Sequence, residues 1–571
     1  MEDEIQSMKT VQVFRPVSTW MRLIASWLFV LAPSLALAGE QAPPTKSAHH
    51  MMAMTPATSV PAATALLQGY GTGGFTVKTS SPEAQAYFDN GMQLAHAFAH
   101  KASIAAFRRA EQLDPACAMC VWSEAWARGP TINYPISESI QAQLASLTDH
   151  AAALAKDNPS KEKALIAALQ KRYHQGGGNG PGDMAFAQAM DALYKADPSD
   201  DEVAVLTADA WMIPASQANN RDHLDRSVQI LEQVLHRAPD NSAAIHFYIH
   251  ATEMDGVAGE ALPYAEKLPA LAPAASHLRH MPSHTYFWVG KYRAAENANL
   301  DAVKIDVENA ARLKPKDGVF GLPYHEHNVQ YGEAATLMDG DAKEGLALAT
   351  AQLQRLSSPN ASSFLHQFGL STAYFVFGRF ASLQAVTSLP QPEKTLPYAL
   401  AMWHYARGEA DARSGDAQGV QQEAEKITID RDDLAKFGDS ATQAQAMVDI
   451  ARLVLEGRVA MMEKRWSDAE DDYRKAADIQ DAKLGVFNDP PTWWYPVRRS
   501  VAAALLAKGN PMAAEVEVNA ALARWPLDPQ SLRILADCQQ EMGRSEEAKR
   551  QHALALANWF GDAAALPIAL L

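Results

Sequence analysis

The sequence has only three cysteines in 571 residues, too few for a disulfide framework in a chain of this length. Cys117 and Cys120 form a C-x-x-C, and Cys538 stands alone. No thioredoxin-like βαβ pattern surrounds the pair, so it reads as a local disulfide or as buried thiols rather than an oxidoreductase motif. Basic charge is also scarce: 50 Lys and Arg stand against 66 Asp and Glu, a net charge of −16. This excludes nucleic acid as an expected partner, because phosphate binding needs a basic surface. It fits plain solubility, or tolerance of cations. Runs of alternating β-branched residues are absent, which argues against sheets. Gly176-Gly177-Gly178-Asn179-Gly180 is glycine-rich, but no strand precedes it and no Lys-Ser/Thr follows, so it reads as a loop and not a phosphate cradle. No G-x-S-x-G and no H-E-x-x-H occurs, which leaves an acyl hydrolase and a zincin-type protease without support.

Long apolar runs are confined to the N-terminus. Leu23 to Ala38 is apolar apart from Ser26, Ser34 and the break at Pro33, with Arg15 and Arg22 before it and Ala36-Leu37-Ala38 ahead of Gly39. A basic flank, a short apolar core and a small-x-small end describe a signal peptide over residues 1–38. The core is short for a membrane span. The chain is therefore expected to be periplasmic or secreted, with no membrane association after cleavage; an uncleaved N-terminal anchor is the alternative. The acidic start Met1-Glu2-Asp3-Glu4 is atypical of a signal, and Met8 or Met21 is the better start. Residues 39–80, rich in Pro, Ala, Ser, Thr and Gly, read as a flexible tether. Within it, His49-His50-Met51-Met52-Ala53-Met54 offers soft ligands that suit copper, or is compositional drift in a linker.

What the rest of the chain has is helical periodicity. From about residue 82, alanine-rich segments of helical spacing alternate with short turns carrying Pro or Gly. The segments come in pairs, and the pairs repeat about every 34 residues. Ala502, Gly509, Ala514 and Ala521 recur as Ala536, Gly543, Ala548 and Ala555, with Pro526 closing the first unit. Gly457, Trp466, Ala469, Tyr473 and Ala476 form a third unit, and Gly91, Phe107, Ala110 and Pro115 fit the same frame. Small residues are needed where two helices cross closely, and proline ends a helix because it cannot donate the next bond.

These positions resemble the tetratricopeptide repeat. The chain as a whole is similar to exported bacterial proteins of that repeat type, through Leu113–Trp122, Gly129–Asn133, His280–His284, Trp403–Gly408 and Trp494–Arg498. The resemblance implies an all-α chain, a right-handed α-solenoid of helix-turn-helix repeats over residues 81–571. It supplies a fold and not an activity.

Histidine is placed with the same register. Eighteen occur in the chain, yet His246, His250, His277, His280 and His284 crowd one short stretch, where even scatter would leave about one. Pro239 and Pro273 close successive units 34 residues apart, so His246 and His280 hold one repeat position and His250 and His284 another. Each pair is H-x-x-x-H, which puts both imidazoles on one helix face. The resemblance implies that these first helices line a concave groove. Packed helices lie about 8–10 Å apart, so imidazoles from two of them can meet.

The expected ligands are His246, His250, His277, His280, His284 and His327, with Glu253 one turn beyond His250 as a ligand or base. His325-Glu326-His327 is expected to contribute at most one histidine, because alternation along an extended segment separates the two. Pro282 is expected to start a helix and turn His280 aside. The metal implied is a divalent transition ion, copper or zinc. Six or seven histidines are enough for two coppers; a di-iron site would want more carboxylates. Three functions follow: a groove that binds a metal and/or a protein or peptide partner, a metalloenzyme of oxidase or hydrolase type, or a metal-free interaction scaffold. Trp493, Trp494 and Tyr495 beside Arg498 and Arg499 read as packing between layers ahead of a ligand or peptide anchor, and Trp403 and His404 as packing or groove residues.

Overall fold

A computed structural model describes residues 60–178, 180–218, 221–356, 363–484 and 489–562. The expected signal peptide and the His49–Met54 run lie outside the described residues. Within them the chain is all-α: helices follow one another in antiparallel pairs, and each packs chiefly on the next. This is the tetratricopeptide-like solenoid the repeat spacing predicts.

The local reasons are those read from sequence. The first helix, Pro82–His96, starts where the Ser81 side chain accepts a bond from the Ala84 N–H and Pro82 occupies the first turn. Gly91 lets its partner helix close in: a Cβ there would sit 2.3 Å from Phe107 Cε1. Gly457 does the same for Tyr473, again at 2.3 Å, at the same offset along the chain. Between paired helices the turn needs a left-handed residue, supplied by Gly509 at φ 82° and Gly543 at φ 78°.

Two features depart from an open array. The expected tether through residue 80 is instead fastened along its described part. The Ala63 N–H donates to Ala105 O, Asn90 exchanges bonds with the Leu67 backbone, and the Thr72 N–H donates to Ser242 Oγ. Polar, turn-rich composition predicts a linker, but here those backbone groups find side-chain partners on the repeats. In addition, the last repeats fold back on the middle of the array. Tyr292 donates its hydroxyl hydrogen to Pro526 O at 3.0 Å, and the Phe560 N–H donates to Asp339 O at 2.7 Å. Helices that would line a groove are thereby covered. Every residue from Ser242 to Glu253 is buried, as are His325 and all residues from His327 to Asp339.

Candidate metal centre

Three helical segments bring the histidines together. In Ser242–Met254, capped by the Asn241 side chain, His246, His250 and Glu253 follow at single-turn steps on one face. The next segment is Ser276–His280 followed directly by Pro282–Trp288. Pro282 does not turn His280 aside. Met281 keeps helical dihedrals, φ −50° and ψ −37°, and Pro282 sits in the first turn, where a missing N–H is tolerated. His277, His280 and His284 therefore stay in register. The third segment, His325–Asp339, is helical rather than extended, yet it separates its two histidines as expected, since residues two apart on a helix diverge. His327 joins the cluster, while His325 Nδ1 lies 3.0 Å from Asp306 Oδ2.

The cluster offers three donor sets: His246/His250/His277, His280/His284/His327, and His250/Glu253/His284 linking them. In each, the donor atoms lie within 4.8 Å of one another. All six histidines and Glu253 are buried, at 0–5% exposure. That burial corrects the expectation of an accessible concave groove at these residues, because the covering described above leaves no room for a partner segment to touch them.

The hydrogen bonds fix the tautomers. His246 Nδ1 is 2.6 Å from the His96 carbonyl oxygen, which only accepts, so Nδ1 carries the hydrogen. His280 Nδ1 is 2.6 Å from Asn299 Oδ1, whose own amide donates to Ala295 O. His284 Nδ1 is 2.6 Å from Glu253 Oε2. In the neutral form of all three rings Nε2 is left to present a lone pair into the cluster. His280 Nε2 and His284 Nε2 then face each other at 2.8 Å, and His246 Nε2 faces His277 Nε2 at 3.2 Å. Neutral His277, whose Nδ1 has no partner, can donate from Nε2 to His246, whereas His280 and His284 need a cation at their contact, either a proton on His284 or a metal ion. Carbonyl, amide and carboxylate partners on Nδ1 are what orient metal-ligating imidazoles.

Electrostatics keep most of these rings neutral. Burial pushes His246 down to about 3, and burial reinforced by neighbouring histidines holds His277 and His280 well below the usual range. For His284 burial pulls the same way, but the carboxylates of Asp489 and Glu253 outweigh it and raise the ring's pKa. Burial would raise Glu253; the charge of His284 and the bonds from His284, Trp288 and Tyr331 hold it below its ordinary value.

Several contributors carry no register signal in the sequence. Asp489, far along the chain, places Oδ1 at 3.3 Å from His284 Nδ1 and 3.6 Å from His327 Nε2. Asn299 lies on the helix after the histidines and orients His280. Tyr331 and Trp288 donate to Glu253 Oε1 at 3.0 and 2.8 Å. Phe98 and Tyr324 enclose His277, with ring centroids 5.0 and 4.4 Å from it. Both hold left-handed backbone, φ 54° and φ 63°, a costly conformation for bulky residues that concentrates at functional sites. Of the other cysteine and aromatic expectations, Cys117 and Cys120 are joined by a disulfide bond, and Trp493, Trp494 and Tyr495 are buried in packing.

No protein-family profile and no curated protein matches the chain. Solved structures do match along its path. Human IFIT1, as a dimer with m7Gppp-AAAA, is 15% identical at TM-score 0.33, covering 77% of this chain and 90% of that one. Yeast Tom70 is 10% identical at TM-score 0.33, covering 83% and 90%. The P58(IPK) TPR domain is 14% identical at TM-score 0.20, covering 65% and 96%. These likenesses concern helical fold alone.

The Glu253–His284 contact yields a direct prediction. Glu253→Gln keeps the shape but removes the charge that fixes His284, so metal affinity is expected to fall roughly 10- to 100-fold with the fold retained. Competition titration against a chelator of known affinity, with circular dichroism as the control, measures this.

Proposed function

We propose that this chain is a metalloprotein whose two three-histidine sets, His246/His250/His277 and His280/His284/His327, hold a pair of transition-metal ions, copper in preference to zinc. The observation that carries the reading is the burial of two three-histidine sets whose donor atoms lie within 4.8 Å of one another, with Nδ1 of His246, His280 and His284 committed to acceptors and Nε2 facing inward. The equivalence of the pairs in the repeat supports two ions rather than one.

Charge favours copper in its monovalent state. With metal bound the imidazoles are neutral donors, and the carboxylates within reach are Glu253 and Asp489. Two monovalent copper ions would balance two carboxylates, whereas two zinc ions would leave a net double positive charge buried, which is costly. Divalent copper also outranks zinc at nitrogen sites. The signal-like N-terminus and the Cys117–Cys120 disulfide agree with export, since disulfides persist in oxidising compartments.

A second reading, a catalytic use of the centre, is favoured by Asp489. Burial, with Glu253 adding to it, pushes this carboxyl up to about 7, although His284 pulls it back. A group that exchanges a proton near neutrality beside His327 suits general acid–base work next to a metal. A protein or peptide partner, if the repeats bind one, would meet a surface away from the buried histidines.

Elemental analysis of the full-length protein, expressed with copper and separately with zinc, tests the proposal. Two tightly held equivalents of copper per chain, displacing zinc in competition, are the expected result. Substoichiometric metal under both conditions would overturn it, and two zinc ions resistant to copper would overturn the preference.

A further inference from the structure

Away from the histidines, a cavity of about 570 Å³ opens between the middle and last repeats, a size that suits a small organic ligand. Its walls carry the aromatic rings of Phe375, Tyr405, Trp494 and Trp559 together with Arg379 and Arg413. In a chain of net charge −16 the lining holds four cations against three carboxylates.

The pairing of those charges is uneven. Arg458 donates to Glu409, which also accepts from the Tyr405 hydroxyl. Lys343 pairs with Glu344, and Asp341 with Arg293. Arg379 has no ion pair among the described residues. It donates from Nη2 to Gln530 Oε1 at 3.1 Å, and its Nε, closed off from solvent, has no acceptor. Its guanidinium carbon lies 4.6 Å from the Trp494 ring centroid and 5.4 Å from that of Trp559. The more exposed Arg413 donates to the carbonyls of Gly378 and Ala381 and forms no ion pair among the described residues.

An unanswered guanidinium between indole rings at the wall of a cavity is a matched site for one carboxylate on an apolar, planar body. The anion would pair with the guanidinium charge, and the rings would pack against the body. We infer that this cavity binds a small aromatic monocarboxylic acid, with Arg379 holding the carboxylate and Trp494 and Trp559 holding the ring. Burial, with the charge of Arg499 adding to it and Asp528 and Glu409 opposing it from farther away, draws Arg379 down to about 9. A bound anion would restore it. The inference is independent of the metal centre.

Calorimetric titration of the full-length protein tests it, using phenylacetate and indole-3-acetate as probes and the matching neutral amides as comparators. Chelator-treated protein is used alongside, because carboxylates also bind metals. The acids are expected to bind at least tenfold more tightly than their amides, with or without metal, and to quench tryptophan fluorescence. Arg379→Gln is expected to weaken the acids roughly tenfold or more while leaving the amides unchanged, with partial recovery in Arg379→Lys. Equal binding of acid and amide, no saturable binding of either acid, or acid binding that disappears with the metal would overturn the inference. The acid–amide comparison uses unaltered protein, so it decides the matter even if Arg379→Gln does not fold.

Discussion

In the double variant His250→Ala/His284→Ala, metal content is expected to fall from two equivalents per chain to none. His250 belongs to the first histidine set, His284 to the second, and both to the set with Glu253 that links them. Removing them leaves two imidazoles on each side, fewer than the three protein ligands on which mononuclear zinc and copper sites usually rest. The effect on stability follows by mass action. Free metal at about a thousand times its dissociation constant stabilises the native state by about 4 kcal/mol per site, so unaltered protein should unfold later with metal than without. The variant should show no such difference. Its fold is expected to persist, because Glu253 keeps the bonds from Trp288 and Tyr331 when His284 is gone. The instructive control is His325→Ala. Sequence proximity groups His325 with His327, yet its ring answers to Asp306, and this variant should retain both equivalents. Loss of metal in His325→Ala, or its retention in the double variant, would contradict the assignment.

Much of this centre is legible in the sequence because repetition makes position meaningful. The 34-residue register places His246 with His280 and His250 with His284, and helical spacing adds His277 and Glu253; nothing more is needed to predict one cluster. The register cannot reach residues that come from outside it. Asp489 precedes a late repeat, and only the return of the last repeats onto the middle brings it to His284. Phe98 and Tyr324 lie in turns whose left-handed backbone has no sequence signal, since glycine and not an aromatic is what such a turn suggests. The same return closes over the helices, so a groove expected to be open became a buried site. Pro282 misled in a different way. Its missing N–H is costly inside a helix but harmless at a helix start, and the chain simply begins a second helix there without leaving the first one's course. Arg379 was invisible for the reason that makes it interesting: one arginine among many shows nothing until its neighbours prove to be paired elsewhere.

The second large effect is on pH. An unfolded histidine has a pKa of about 6.5, whereas burial holds His246 at about 3 and the nearby His100 at about 4 in the folded chain. Above pH 6.5 both states leave these rings neutral, and the full stability is present. As pH falls below 6.5 the unfolded chain takes up protons that the folded one refuses, so stability is lost, by about 2 kcal/mol for each such histidine at pH 5. His284 acts in the opposite sense. Its raised pKa contributes stability below pH 6.5 that fades as pH climbs through the folded value. One raised ring against several depressed ones leaves a net loss from the histidines, while buried carboxyls act the other way, Glu111 raised to about 8 and Glu296 to about 9. The histidine share is read from His100→Gln in metal-free protein, which is expected to lose about 2 kcal/mol less stability between pH 7 and pH 5 than unaltered protein. Metal affinity should respond unevenly. An exposed histidine site weakens roughly 25-fold per ligand between pH 7 and 5, because protons compete for the lone pairs. Here His246, His277 and His280 are too acidic to be competed for in that range. Affinity measured with a buffered chelator at pH 7 and pH 5 should therefore fall little at the set with His246 and His277 and more at the set with His284, whose raised pKa keeps a proton in competition. An equally steep fall at both sets would show that the burial argument fails.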